Sequence, residues 1–213
     1  MAMTWPLGVV DVVYARHGSI EERASAAARD GYDFIDPQLT DDVSALALPA
    51  GCPTSFPKPT DTWCATPAPS AGDGMWERAV RWWSAAPHAL LEPWAGAVVH
   101  STESFRAFRA EVPGVRLLVD TGHVADWGGD PLELLEYADH VQLRQGCRGH
   151  TQLHVDDARG EVDFAAVLAR LEALDYRGKL AVEYFDLAFM GWPLEDPEAW
   201  ARDLAAFVRP LMR

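Results

Sequence analysis

The chain has 213 residues, 49% of them hydrophobic, so it can bury a sizeable core and is expected to form one domain over residues 1–213. It has 18 lysines and arginines against 32 aspartates and glutamates, and the formal net charge of −14 argues against nucleic-acid binding. No apolar run is long enough to cross a bilayer and no signal-peptide pattern is evident, so we expect a cytoplasmic protein without a membrane partner. The three scattered cysteines predict free thiols.

The chain begins with a predicted strand, helix and second strand. Residues 8–13 form an apolar run typical of a buried strand. Ser19 and Glu22 have the spacing of a capping box, which predicts a helix that ends at Gly31. Residues 32–37 then predict the second strand.

This rhythm changes between Leu39 and Gly74, where repeated prolines exclude long helices. We expect two short strands in this segment, near residues 50–56 and 62–66, with loops in place of helices. A helix over residues 75–85 and a buried strand over residues 88–94 follow.

The remainder of the chain alternates strands with amphipathic helices, the pattern of parallel βαβ units. The predicted strands cover residues 115–120, 140–144 and 179–185. The predicted helices run from Pro131 to about Ala138, from Phe164 to Leu174, and from Asp196-Pro197 onward. With eight strands in all, we favour a compact (β/α)8 TIM barrel whose helices are shortened or missing after strands two and three. An open α/β sheet is the alternative, but no glycine-rich nucleotide-binding motif supports it.

Four polar side chains stand where apolar strands end, which is where barrel enzymes place their chemistry. They are Glu92, Asp120, Gln142 and Glu183. Each of them alone is equally typical of a helix cap or an ion pair, but capping does not predict such a recurrence on successive strands. Three carboxylates and an amide oxygen form a hard, all-oxygen ligand set, which favours Mn²⁺ or Mg²⁺ over zinc.

The proline-rich segment between strands three and four is expected to cover the barrel mouth. Lys58 is one of only two lysines in the chain, and Trp63 has a side chain of the kind that packs on the apolar face of a small ligand. We therefore predict that both bind substrate. The alternative is that the prolines only stiffen a connection and that Trp63 fills the core.

Residues 88–185 resemble the xylose isomerase-like TIM barrels, a superfamily of sugar isomerases and epimerases that also includes endonuclease IV and inosose dehydratase. The resemblance is carried by the elements DTGH at residues 120–123, HVQ at 140–142 and GEVDF at 160–164. It implies that Glu92, Asp120, Gln142 and Glu183 hold a divalent metal ion. Gln142 stands where many members have a histidine, as in hydroxypyruvate isomerase-like members.

The resemblance also implies roles in the reaction. A metal that chelates the carbonyl and hydroxyl oxygens of a substrate stabilises an enediolate, while Glu92 and Glu183 remove and return a proton from opposite sides. His123 would bind a substrate oxygen, and Arg148 and His150 would bind the far end of the substrate. A structural histidine and a solvated loop are the alternatives for these three residues.

The leading hypothesis is therefore a metal-dependent isomerase or epimerase of a small sugar or hydroxy-keto acid. A metal-dependent dehydratase of the inosose dehydratase type is a second hypothesis, because the same residues can serve the elimination of water. A non-catalytic, degenerate barrel that acts as a binding protein is the third, prompted by the short N-terminal half. A homo-oligomer is compatible with the tryptophans of the helix predicted at residues 75–85.

Overall fold

A curled parallel sheet organises the chain in the computed structural model, which describes residues 5–186, 188 and 192–212. The seven strands of this sheet lie in the order β2-β1-β9-β6-β5-β4-β3. In chain order they are β1 (Leu7–Val10), β2 (Ile35–Asp36), β3 (Cys64–Pro67), β4 (Ala89–Glu92), β5 (Leu117–Asp120), β6 (Ala138–Leu143) and β9 (Lys179–Val182). A separate antiparallel hairpin consists of β7 (Gln145–Cys147) and β8 (His150–Leu153).

Six α-helices accompany the strands. They are α1 (Ile20–Arg29), α2 (Met75–Ala85), α3 (Thr102–Glu111), α4 (Thr121–Asp126), α5 (Phe164–Ala173) and α6 (Pro197–Val208). The predicted caps are confirmed: Ser19 and Glu22 form the capping box of α1, and Asp196 caps α6 with Pro197 in its first turn. None of the helices in the described ranges is both long and apolar enough to cross a membrane.

The predicted barrel with reduced early units is confirmed. Single parallel bridges join Ile35 to Ala50, Gln38 to Thr54, and Thr54 to Ala65, so the segment around residues 50–54 fills the place between β2 and β3. The described residues between β2 and β3 contain no α-helix. Prolines and short bridges therefore close the barrel where helix-bearing units are missing.

Several predicted elements differ in extent or type, and the strand predicted at residues 32–37 is reduced to Ile35–Asp36. The strand predicted at residues 8–13 ends at Val10, because Asp11–His17 forms a 3-10 helix. The helix predicted from Pro131 to Ala138 is instead two 3-10 turns, Pro131–Glu133 and Leu135–Tyr137. These two turns lead directly into β6, which begins at Ala138.

Side-chain alternation along the strands separates the two faces of the sheet. Leu117 and Val119 of β5 pack into the main apolar cluster with the helices, whereas Leu118 packs with Cys52, Ala65 and Leu90 in a separate small cluster. Because alternate residues of a strand share a face, Asp120 points to the same inner side as Leu118. The barrel interior is therefore apolar along the middle of the strands and polar at their carboxyl ends.

Candidate active site

The four predicted ligands lie at one edge of the sheet. The strands β9, β6, β5 and β4 are neighbours and parallel, so their carboxyl ends meet. Glu92 ends β4, Asp120 ends β5 beside Gln142 of β6, and Glu183 directly follows β9. All four are buried, with exposures of 1% to 8%.

A tighter cluster forms around the first two of these residues. Glu92, Asp120 and His123 each offer a ligand atom within 4.8 Å of the others, so this triad can hold a metal ion. Nε2 of His123 lies 3.6 Å from Oε1 of Glu92. The family resemblance implies that His123 binds a substrate oxygen, and in the structure His123 lies among the groups that can hold a metal ion. An imidazole in the set also widens the choice of metals toward zinc.

Asp120 owes its position to the turn that follows β5. Its Oδ1 accepts hydrogen bonds from the backbone N–H groups of Gly122 (2.7 Å) and His123 (3.0 Å), so the carboxylate caps α4. Burial alone would raise the pKa of Asp120, but the nearby Arg144 and His123, together with hydrogen bonds, lower it to about 2. Asp120 is therefore an ionised anchor at neutral pH.

Arg144 is the main site residue that the sequence analysis did not assign. It is fully buried, its Nη2 forms an ion pair with Oδ2 of Asp120, and the same nitrogen lies 3.1 Å from Oε2 of Glu183. The spacing of Arg144 could have identified it, because residues 140, 142 and 144 alternate along one strand and therefore share a face. Residues 140 and 142 are the first and last residues of the HVQ element.

The other titratable groups respond to the same burial. Burial and the neighbouring Asp120 raise the pKa of Glu92 from 4.5 to about 8, despite the opposing effect of Arg144. Burial also raises the pKa of Glu183 well above its ordinary value, and it lowers the pKa of His123 to about 4. In the absence of a bound cation, Glu92 holds a proton and His123 is neutral near pH 7.

The donor set fits a divalent cation. Oε1 of Gln142 is a buried acceptor with no hydrogen-bond partner among the described residues, and Oε2 of Glu183 has none there apart from its ion pair with Arg144. Among the described residues, Glu92, Asp120 and Glu183 share one nearby guanidinium, that of Arg144, so the fully ionised site would carry a surplus of two negative charges. Buried acceptors of this kind are costly unless a cation or a donor satisfies them.

The predicted substrate-binding residues outside this cluster are all exposed. Arg148 and His150 belong to the hairpin that follows β6, at and beside its turn, and the guanidinium of Arg148 packs over Gly128. Lys58 and Trp63 lie in the loop before β3. Trp63 directly precedes Cys64, whereas Glu92 pairs with the last residue of β3, so Trp63 lies at the opposite end of that strand.

Two aromatic residues do lie beside the cluster. The ring of Trp192 is 6.1 Å from that of His123 and 6.2 Å from that of Phe185. Nε2 of Gln152 donates to the backbone carbonyl groups of Phe185 (2.9 Å) and Trp192 (3.3 Å), which fixes both near the site. These residues, and not Trp63, supply the apolar surface next to the polar groups.

Comparisons with known proteins show the family and the fold of the chain. The family described as xylose isomerase-like TIM barrel matches residues 75–211. The structure of L-ribulose 3-epimerase is similar with a TM-score of 0.72 and 14% identity, over 98% of this chain and 94% of that chain. The structure of D-allulose 3-epimerase from Methylomonas sp., in complex with D-allulose, is similar with a TM-score of 0.68 and 17% identity, over 99% of each chain. The structure of the IOLI protein with a bound zinc atom is similar with a TM-score of 0.68 and 14% identity, over 98% of this chain and 99% of that chain. No curated protein sequence matches the chain.

Proposed function

Because the chain belongs to the xylose isomerase-like TIM barrel family, we propose that it is a divalent-metal-dependent isomerase or epimerase of a small sugar or hydroxy-keto acid. The observation that carries this proposal is the convergence of Glu92, Asp120 and His123 within 4.8 Å at the carboxyl edge of the sheet. The similarity of the fold to those of two sugar 3-epimerases supports it.

Glu92, Asp120, Gln142 and Glu183 are the residues that we propose to hold the cation. Their oxygen donors favour Mn²⁺ or Mg²⁺, and His123 is the one nearby group that would favour zinc. A divalent cation bound there would polarise a substrate carbonyl group and stabilise negative charge on the substrate oxygens.

Proton transfer is assigned to Glu92 and Glu183. Burial raises the pKa of both carboxyl groups, which brings them toward the range in which a carboxyl group can both accept and return a proton near neutral pH. They end strands that are separated in the sheet by β5 and β6, so a substrate lying between them would meet one carboxyl group on each side. That placement suits removal of a proton from one face of a carbon atom and return to the same or a neighbouring carbon.

The remaining residues are assigned to substrate positioning. We propose that His123, neutral because burial lowers its pKa to about 4, binds a substrate oxygen when it is not a metal ligand. Arg148 and His150 lie on the hairpin that leaves the carboxyl end of β6, on the same side as the site. The assignment of Lys58 and Trp63 to substrate stays a prediction, and the position of Trp63 speaks against it.

The proposal is tested by hydrogen exchange. Purified protein, stripped with a chelator and reloaded with Mn²⁺, Mg²⁺ or Zn²⁺, is incubated in deuterium oxide with a panel of ketoses and hydroxy-keto acids. We expect metal-dependent incorporation of deuterium at the carbon next to the carbonyl group, with an isomer or epimer as product. Glu183→Gln should lower this rate by about 100-fold or more, and Glu172→Gln, an exposed change on α5, should leave it unchanged.

Other outcomes separate the alternatives. Loss of water from the substrate without exchange into recovered substrate or isomer would indicate the dehydratase. Ligand binding without exchange, water loss or metal uptake would indicate a non-catalytic barrel. Either result would contradict the isomerase proposal.

A further inference from the structure

Arg144 is built into the centre of the candidate site by its backbone. Its N–H donates to Oγ1 of Thr121 (2.9 Å), and that hydroxyl group donates to the carbonyl oxygen of Arg144 (2.8 Å). Both residues are fully buried. Thr121 belongs to the segment that carries Asp120, so the arginine and the aspartate are fixed relative to one another.

The side chain of Arg144 is held equally closely. The guanidinium carbon lies 4.8 Å from the centre of the Phe185 ring, and Nε lies 3.4 Å from Oδ1 of Asp120. A Cβ atom at Gly122 would clash with the backbone carbonyl oxygen of Thr151, and it would also lie 2.9 Å from Cγ of Arg144 and 3.0 Å from its Nε. The glycine of the DTGH element therefore makes room for this side chain, which is a constructed part of the site and not a surface residue that has folded inward.

One nitrogen of this guanidinium contacts two of the proposed metal ligands. Nη2 forms the ion pair with Oδ2 of Asp120 and lies 3.1 Å from Oε2 of Glu183. Apart from this ion pair, Oε2 of Glu183 has no hydrogen-bond partner among the described residues. A divalent cation bound to these two oxygens would occupy the position of the guanidinium. A cation and a guanidinium in contact with the same two oxygens would repel each other strongly in a buried site.

We propose that Arg144 is an internal competitor of the divalent cation, an inference that rests on the cation site of the proposed function. Its guanidinium forms an ion pair with Asp120 and contacts Glu183 in the metal-free protein, and the cation binds by displacing it from at least one of these two carboxyl groups. The charge of Arg144 therefore weakens metal binding while it stabilises the fold without metal.

The test is a direct measurement of Mn²⁺ affinity in the full chain. Protein stripped with a chelator is titrated with Mn²⁺, and the paramagnetic resonance signal of free Mn²⁺ reports binding. Arg144→Met removes the charge and keeps an unbranched side chain, and we expect it to bind Mn²⁺ about ten-fold more tightly or better. Arg170→Met, at an exposed position on α5, is the matched control and should bind like the wild type.

Thermal unfolding provides a second measurement. Without metal, Arg144→Met should unfold at a lower temperature than wild type, because the buried Asp120 and Glu183 side chains lose the guanidinium that they contact. Mn²⁺ should then raise the Tm of Arg144→Met by more than it raises the Tm of wild type. If Arg144→Met does not fold without metal, Arg144→Lys replaces it, since a single ammonium group lacks the bridging fork and should give a smaller gain in affinity.

The outcomes distinguish this inference from the proposed function. If wild type binds Mn²⁺ and the Arg144 variant binds equally or more weakly, competition by Arg144 is wrong and the metal site stands. If only the Arg144 variant binds Mn²⁺, competition is supported and metal dependence of the natural protein is wrong. If neither binds, both proposals fail.

Discussion

The first third of the described chain differs from the rest in how it builds the barrel. Residues 5–74 contribute short strands, one α-helix and a proline-rich segment, whereas residues 75–212 contribute complete strand–helix units. All of the proposed metal ligands lie in the second region, which is also where the family match lies. The contrast indicates that strands alone suffice to close the barrel, while the chemistry depends on the complete units.

A buried polar pair joins the two regions. Asp36, at the end of β2, accepts hydrogen bonds through Oδ2 from Nε2 of His140 (2.6 Å) and through Oδ1 from the backbone N–H of Cys52 (2.6 Å). Asp36 and His140 are both fully buried, and the ring of Phe34 packs edge-on against that of His140. The reduced region is thus tied to β6 by a contact between residues far apart in the chain.

The largest stability effect is expected from Asp36→Ala. The change leaves the ring of His140 and the N–H of Cys52 without their shared acceptor in a dry interior. We expect a loss of roughly 2–5 kcal/mol in the free energy of unfolding, measured by urea denaturation followed by circular dichroism. Asp42→Ala, in an exposed turn, is the control, and equal stabilities for the two variants would show that the pair does not join the regions.

The second prediction concerns pH and applies to the second region. Since burial raises the pKa of Glu92 from 4.5 in the unfolded chain to about 8, the folded state binds more protons between these pH values. The contribution of Glu92 to the free energy of unfolding is therefore largest below about pH 4.5, and it decreases as the pH rises toward 8. The contribution of Glu92 to the Tm of metal-free protein should fall by several degrees across this window, on the order of a few degrees per kcal/mol. His123, whose pKa is lowered from 6.5 to about 4, acts in the opposite direction between those two pH values, so the contribution of Glu92 is taken as the difference between wild type and a Glu92 variant.

Glu92→Gln is the matched variant for this pH dependence. The amide does not titrate, so the fall in Tm between acid and neutral pH should become smaller. Asp120 itself does not titrate in this window, because its pKa is lowered to about 2. An identical pH profile for wild type and Glu92→Gln would contradict the assignment of the raised pKa.

The smallest effects are expected at helix caps, one in each region. Ser19→Ala removes the cap of α1, and Asp163→Ala removes the side chain that caps α5. Each should reduce the free energy of unfolding by about 1 kcal/mol, measured in the same urea experiment. If Asp163→Ala lowers the global stability and Ser19→Ala does not, the two regions unfold separately.

Much of the site could be predicted from local sequence because its signals are local. Glu92, Asp120 and Glu183 each end an apolar run, and Gln142 interrupts one, so each is visible without knowledge of its neighbours. Parallel pairing of consecutive units then brings them together. The same logic located the strands of the barrel, including the weak one near residues 50–54.

The missed features depend on partners remote in sequence. In the sequence, Arg144 is one more residue at the end of a predicted strand. Its role as a buried cation follows from its contacts with Asp120 and Glu183, which only the structure shows. The partner of Asp36 is His140, 104 residues away, and no local pattern reports such a pair. His123 appeared as a substrate ligand because its spacing from Asp120 does not indicate that Glu92 lies 3.6 Å from its ring.

Anomalous diffraction from crystals grown with Mn²⁺ tests the central claim, that the carboxyl ends of the second-region strands form a cation site. We predict one strong manganese peak within about 2.5 Å of carboxylate oxygens of Glu92 and Asp120, with Arg144 moved away from at least one of its two carboxylates. No peak at this position at saturating Mn²⁺, with Arg144 still bridging Asp120 and Glu183, would contradict the account.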